Sequence, residues 1–173
     1  MNLIPREMWG ARPARDPYEP DSYDALVVHH TSSPPASAYS GAETIRIIQT
    51  FHQETRGWSD IGYHFLIGPD GALYQGRPEG TLGAHSPPNV GRLGVCAIGN
   101  FEGVETVTEA QMRTLIELLG HFSQKYAIPA ERIFGHRDFQ KTTCPGSTFY
   151  AQLPAIRVAM GQLSPPAREA SAG

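Results

Sequence analysis

The chain has little cysteine, no long apolar run and no surplus of positive charge, and each shortage excludes a class of protein. Two cysteines in 173 residues, Cys96 and Cys144, are too few for the disulfide framework of a small secreted scaffold. At most one bridge could join them. No stretch approaches the roughly 20 apolar residues that span a bilayer, so no membrane partner is expected. A net charge of −3, with 14 Lys+Arg against 17 Asp+Glu, provides no basic footprint for nucleic acid. The opening residues Met1-Asn2-Leu3-Ile4-Pro5-Arg6 lack the apolar centre of a secretory signal. A chain held in the cytoplasm is expected on that ground, or an extracellular one if a leader was removed.

What is present fits one globular domain, 40% apolar and 18% charged, long enough to enclose a core. Fifteen prolines and eighteen glycines imply much shaped loop, which suits a binding groove. Within Gly135-His136-Arg137-Asp138-Phe139-Gln140-Lys141-Thr142-Thr143-Cys144-Pro145-Gly146, a histidine and a cysteine stand eight residues apart before a Pro-Gly turn. Imidazole nitrogen and thiolate sulfur are ligands that zinc prefers, and a catalytic zinc takes three protein ligands and keeps one position for water. The candidate for the third is Val27-Val28-His29-His30-Thr31, where a short apolar run ends in two histidines. Spacing alone leaves a second reading of Cys144 open, as a small buried hydrophobe.

Patterning predicts the elements that carry these residues. Residues 1–24 read as an irregular arm packed down by Trp9, residues 25–163 as the domain proper, and residues 164–173 as a disordered tail. Ala25 to Val28 reads as a buried strand, and about Gly41 to Thr55 as a helix with Ile45, Ile48, Phe51 and His52 at helical spacing. Asp60 to Gly68 reads as a strand, with Tyr63, Phe65 and Ile67 on one face and His64 and Leu66 on the other. Pro69-Asp70-Gly71 turns it into a hairpin with Ala72 to Gln75. Residues 76–91 read as a long loop holding His85, and Leu93 to Gly99 as a central strand. Thr108 to Gln111 is a capping box that opens a helix reaching Tyr126. Arg132 to Phe134 reads as a strand delivering His136, and Thr148 to Met160 as a last helix, kinked at Pro154. Strands interleaved with helices and one hairpin predict an α/β domain with a mixed sheet.

The motifs Trp9-Gly10-Ala11-Arg12, Val28-His29-His30-Thr31, Gly57-Trp58-Ser59-Asp60-Ile61-Gly62-Tyr63, Tyr74-Gln75-Gly76-Arg77, Gly83-Ala84-His85, Ile98-Gly99-Asn100-Phe101, Gly135-His136-Arg137-Asp138 and Thr142-Thr143-Cys144-Pro145-Gly146 stand in one order. Together they resemble the zinc N-acetylmuramoyl-L-alanine amidases, in particular peptidoglycan recognition proteins and phage endolysins, from about Arg6 to Met160. The resemblance implies a central mixed sheet flanked by helices and a groove for the glycan and stem peptide of peptidoglycan. It implies zinc ligands at His29, His136 and Cys144, catalytic roles for Tyr63 and Thr142, and substrate contacts from His30, Trp58, Arg77 and His85. Gly57-Trp58 and Arg77 match positions that go with selection of diaminopimelate in the stem peptide.

The activity so implied is cell-wall degradation by a monomeric zinc hydrolase, endolysin-like and bacteriolytic. It would cut the amide between the lactyl group of N-acetylmuramic acid and L-alanine. The alternative is a recognition module that binds peptidoglycan without cutting it; such proteins typically lose the cysteine that this chain keeps. A recycling amidase of small muropeptides would tend to carry aspartate there. Departures from the family pattern are His64 for asparagine, Pro78-Glu79 for Gly-Trp, and Thr142 where some relatives have lysine.

Overall fold

A computed structural model describes residues 2–163; the tail expected over 164–173 lies outside the described residues. Strands β1 (Leu3–Ile4), β2 (Ala25–His30), β3 (Phe65–Ile67), β4 (Leu73–Gln75), β5 (Arg92–Ala97) and β6 (Ile133–Gly135) form one sheet in the order β1-β4-β3-β5-β2-β6. The β3–β4 hairpin is antiparallel and the other pairings are parallel. This is the expected mixed α/β sheet flanked by helices.

Strand β2 lies between two parallel neighbours, and all six of its residues are buried. Burial on both faces explains its unbroken Ala-Leu-Val-Val run. Leu26 and Val28 point to a core completed by helices α3 (Glu109–Tyr126) and α5 (Leu153–Leu163), with Leu115, Leu119, Phe122 and Ile156. The opposite core holds Trp9, Ile45, Ile48, Leu66, Cys96 and Ile98, under helices α1 (Arg6–Trp9) and α2 (Ala42–Thr50).

Three elements differ from expectation. Residues 2–24 contribute β1 and α1 instead of a wholly irregular arm, and Trp9 is fully buried with its indole N–H donating to the Gln75 carbonyl at 2.8 Å. The strand expected over residues 60–68 shrinks to Phe65–Ile67. Upstream, Tyr63 and His64 still bond main chain to main chain, Tyr63 with Arg77 and His64 with Gly94 and Gly76, but Ile61 N–H donates to Asp60 Oδ1 at 2.7 Å and Gly62 N–H to His52 Nδ1 at 3.0 Å. Tyr63 leaves the alternation and packs with Leu66 and Cys96, on the face opposite Phe65 and Ile67. The last helix is two, α4 (Ser147–Tyr150) and α5, and Pro154 occupies the first turn of α5, where no intrahelical N–H is needed.

The capping box of α3 forms as expected: Gln111 N–H donates to Thr108 Oγ1 at 3.0 Å, and Thr108 N–H to Gln111 Oε1 at 3.2 Å. Gln111 also donates from Nε2 to the carbonyls of Ile67 (3.2 Å) and Ile98 (2.9 Å), tying the helix start to two strand ends. Thr108→Ala should cost about 1 kcal/mol in denaturant unfolding. Gln111→Leu, which also strips donors from two buried carbonyls, should cost about 2–3 kcal/mol. Thr108 Oγ1 also donates to the Pro69 carbonyl at 2.7 Å, so a Gln111→Leu cost no greater than that of Thr108→Ala would mean that the two Gln111 sheet contacts contribute no more than this one bond.

Candidate metal centre and groove

Strands β2 and β6 run parallel with Val28 opposite Gly135. The residues that follow these two, His29 and His136, therefore emerge together at the carboxyl edge of the sheet, where parallel α/β folds bind ligands. Their rings lie 4.7 Å apart between centroids. Gly135 must be small, since a Cβ there would meet Tyr150 Cδ2 at 2.7 Å. The loop after β6 then folds back, with Arg137 N–H donating to the Cys144 carbonyl at 3.0 Å and the Arg137 guanidinium donating to the Thr143 carbonyl. Cys144 Sγ comes to 3.6 Å from His29 Nδ1. The donor atoms of His29, His136 and Cys144 all lie within 4.8 Å of one another.

The electrostatics of this trio suit a cation. Burial, then the neighbouring His85 and His136, hold His29 well below the usual imidazole range. Burial lowers His136 also and pushes the Cys144 thiol up to about 12. Without a metal the site is two neutral imidazoles and a neutral thiol. Neutral imidazoles have the lone pairs that coordinate, and a divalent ion readily displaces a thiol proton. The residues fit zinc: two nitrogens and one sulfur converge, with a cavity beside them. Cys96 and Cys144 are both free.

The cavity has a volume of about 720 Å³, and its lining includes Tyr63, His85, His136, Trp58, Phe51 and Arg56. Tyr63 stands 5.1 Å from the His29 ring. Its phenol is held well above its ordinary value by burial, by the neighbouring Cys96 and Cys144 and by a hydrogen bond with Cys96, so it keeps its proton. Thr142 Oγ1 accepts from Cys144 N–H at 3.2 Å, leaving the hydroxyl hydrogen available.

Among the expected substrate contacts, Trp58 and His85 line the cavity and His30 and Arg77 do not. His30 is 4% exposed and accepts the Phe101 N–H on Nδ1 at 3.1 Å, which fixes the turn after β5. Arg77 is 8% exposed, donating from Nε to the Ile61 carbonyl at 2.8 Å and from Nη1 to the Leu82 carbonyl at 2.9 Å. Its guanidinium is a buried loop brace. The adjacent Glu79 turns away to Lys125, at 2.6 Å. Both ring nitrogens of His85 are engaged, with His29 and with the Arg92 carbonyl.

Other lining residues went unassigned in the sequence. Helix α2 continues into a π-helical turn, Phe51–Thr55, a feature frequent at functional sites. His52 on that turn packs with its ring 4.6 Å from Trp58 and 5.5 Å from Tyr63 between centroids. Burial lowers it to about 4, so it is neutral. Ile47 and Phe51 line the same wall at 56% and 44% exposure, an apolar surface that no packing requirement explains.

The sequence and the fold are similar to those of known proteins. A mammalian N-acetylmuramoyl-L-alanine amidase, from Sus scrofa, is 36% identical over 159 residues, covering 87% of this chain and 26% of that protein. The chain thus spans about a quarter of that relative. The solved structure of N-acetylmuramoyl-L-alanine amidase LysC from Clostridium intestinale is 33% identical with a TM-score of 0.75, covering 90% of this chain and 96% of that one. Peptidoglycan recognition protein LE, solved in complex with tracheal cytotoxin, a monomeric diaminopimelic acid-type peptidoglycan, is 32% identical with a TM-score of 0.80, covering 88% and 92%. The N-acetylmuramoyl-L-alanine amidase family model matches residues 19–147, and with three-quarters of the chain inside that match, the protein belongs to the N-acetylmuramoyl-L-alanine amidase family.

Proposed function

We propose that the chain is a zinc-dependent peptidoglycan amidase, hydrolysing the bond between the lactyl group of N-acetylmuramic acid and L-alanine of the stem peptide. The observation that carries this reading is the convergence of His29, His136 and Cys144 beside a cavity faced by Tyr63. His29, His136 and Cys144 would hold the ion. When bound, zinc supplies Lewis acidity and lowers the pKa of its water toward ~7.

The rest of the mechanism belongs to this chain's side chains. The apolar wall of Ile47, Phe51 and Trp58 takes the stem peptide and displaces water from it. The oxygen of a water bonds to the lactyl carbonyl carbon, the C–N bond breaks, and the L-alanine amine leaves with a proton from that water. Tyr63 donates its O–H to the carbonyl oxygen while it carries negative charge. The Thr142 hydroxyl, fixed beside Cys144, is a weaker second donor. Selection of diaminopimelate over lysine requires a cation facing the groove to meet the extra carboxylate. Arg77 is engaged elsewhere, so this role falls to Arg56, which lines the cavity with Trp58. The setting we propose is lytic action on the cell wall by a monomer, with lysis of wall suspensions as its readout.

Cys144→Ser tests the metal centre. Wild type should carry one zinc per chain and the variant little, because a neutral hydroxyl replaces a thiolate. A metal-free preparation with full activity would overturn the proposal. Tyr63→Phe should keep zinc and fold while turnover falls by about ten- to a thousandfold, with a smaller loss for Thr142→Ala; wild-type turnover would make Tyr63 a packing residue. Arg56→Ala should erase a preference for diaminopimelate over lysine muropeptides with zinc content unchanged. Equal rates on both substrates in wild type would remove that assignment.

A further inference from the structure

We propose that His85 is a positioning residue for the metal centre: the Arg92 carbonyl fixes its tautomer, and that tautomer in turn fixes the one His29 adopts. This rests on the reading of His29 as a ligand, and its logic needs only the direction of each hydrogen bond. His85 Nε2 lies 3.0 Å from the Arg92 carbonyl oxygen. A carbonyl only accepts, so Nε2 carries the proton. Neutral His85 then has a bare Nδ1, which stands 2.9 Å from His29 Nε2. His29 must donate from Nε2, and its own Nδ1 is left bare. That is the nitrogen 3.6 Å from Cys144 Sγ.

A doubly protonated His85 would break the relay, but the ring has no place for a cation. It is 5% exposed, and its ring neighbours are His29 and His64. His64 is itself fully engaged, between the Thr81 carbonyl at 2.8 Å and the Gly94 N–H at 2.9 Å.

The fold holds the ring with unusual care. A Cβ at Gly83 would meet His85 Cδ2 at 2.4 Å, and one at Gly94 would meet it at 2.6 Å, so both positions must be glycine for the ring to lie where it does. Asn89 Oδ1 accepts the N–H groups of His85 (2.9 Å) and Ser86 (2.7 Å). Arg92, whose carbonyl anchors the ring, also donates from Nη1 to the carbonyls of Ser86 (2.7 Å) and Pro87 (3.0 Å). Its guanidinium lies 3.6 Å over the Phe139 ring, in the loop that supplies His136 and Cys144. One residue thus braces the His85 loop and touches the ligand loop. With both nitrogens engaged, His85 has no ring nitrogen left for the substrate contact expected from the sequence.

The test reads the tautomer directly. In metal-free wild type labelled with nitrogen-15 histidine, NMR should find His29 protonated at Nε2 and bare at Nδ1. His85→Phe keeps the ring volume and removes the acceptor; zinc affinity, by chelator competition, should fall about 10- to 100-fold. His85→Asn, which returns an acceptor oxygen near the Nδ1 position, should recover most of that loss. A wild-type His29 protonated at Nδ1 would overturn the proposal, as would unchanged zinc affinity in His85→Phe or equal losses in both variants. Because the tautomer is read without metal, a wild type that binds no zinc would sink the metal centre and still leave the relay decided.

Discussion

Everything at the candidate centre depends on the parallel pairing of β2 with β6. The register that sets Val28 against Gly135 brings two histidines, more than a hundred residues apart in sequence, out of one sheet edge on one face. Neither strand could be moved by a residue without turning its histidine to the opposite face. The register is held by burial: Leu26, Val28 and Ile133 fill the core against α3 and α5, and each such side chain contributes about 1.5–3 kcal/mol. The same burial that fixes the strands keeps His29 neutral, because a charged imidazole at 1% exposure would be strongly penalised.

A buried candidate ligand such as His29 must also present the correct nitrogen, and here the surrounding loops matter more than the sheet. The main chain at Arg92, the glycines at 83 and 94 and the Asn89 turn all converge on one ring. The loop from His136 to Cys144 is held in a similar way: Arg137 reaches the Thr143 carbonyl and Glu102, while Asp138 accepts from Gly135 N–H at 2.8 Å and from the Tyr150 hydroxyl at 2.5 Å. Rigid support of this kind lets a site hold its donors converged before a ligand arrives.

The parts legible in the sequence were those governed by local pattern. The apolar run of β2, the capping box and stripe of α3, the Pro69-Asp70-Gly71 hairpin and the short strand before His136 follow from periodicity and turn chemistry, and the ordered motifs pointed to the family. The parts not legible were those decided by where distant main-chain groups find partners. Tyr63 lies just outside β3, next to Gly62, whose N–H goes to the His52 ring instead of to a neighbouring strand. Arg77 and His30 look like groove residues by motif, yet the carbonyls of Ile61 and Leu82 and the amide of Phe101 need them. His52 enters the groove through a π-helical turn, which a 3.6-residue period cannot reveal.

The central claim is that this chain cuts one particular amide, and the direct measurement is mass spectrometry of the products released from purified peptidoglycan sacculi. The account predicts free stem peptides with an unblocked N-terminal L-alanine, and glycan strands that end each lactyl group in a carboxylate. Fragments cut between sugars or within the peptide, or sacculi left intact by the zinc-loaded protein, would contradict it.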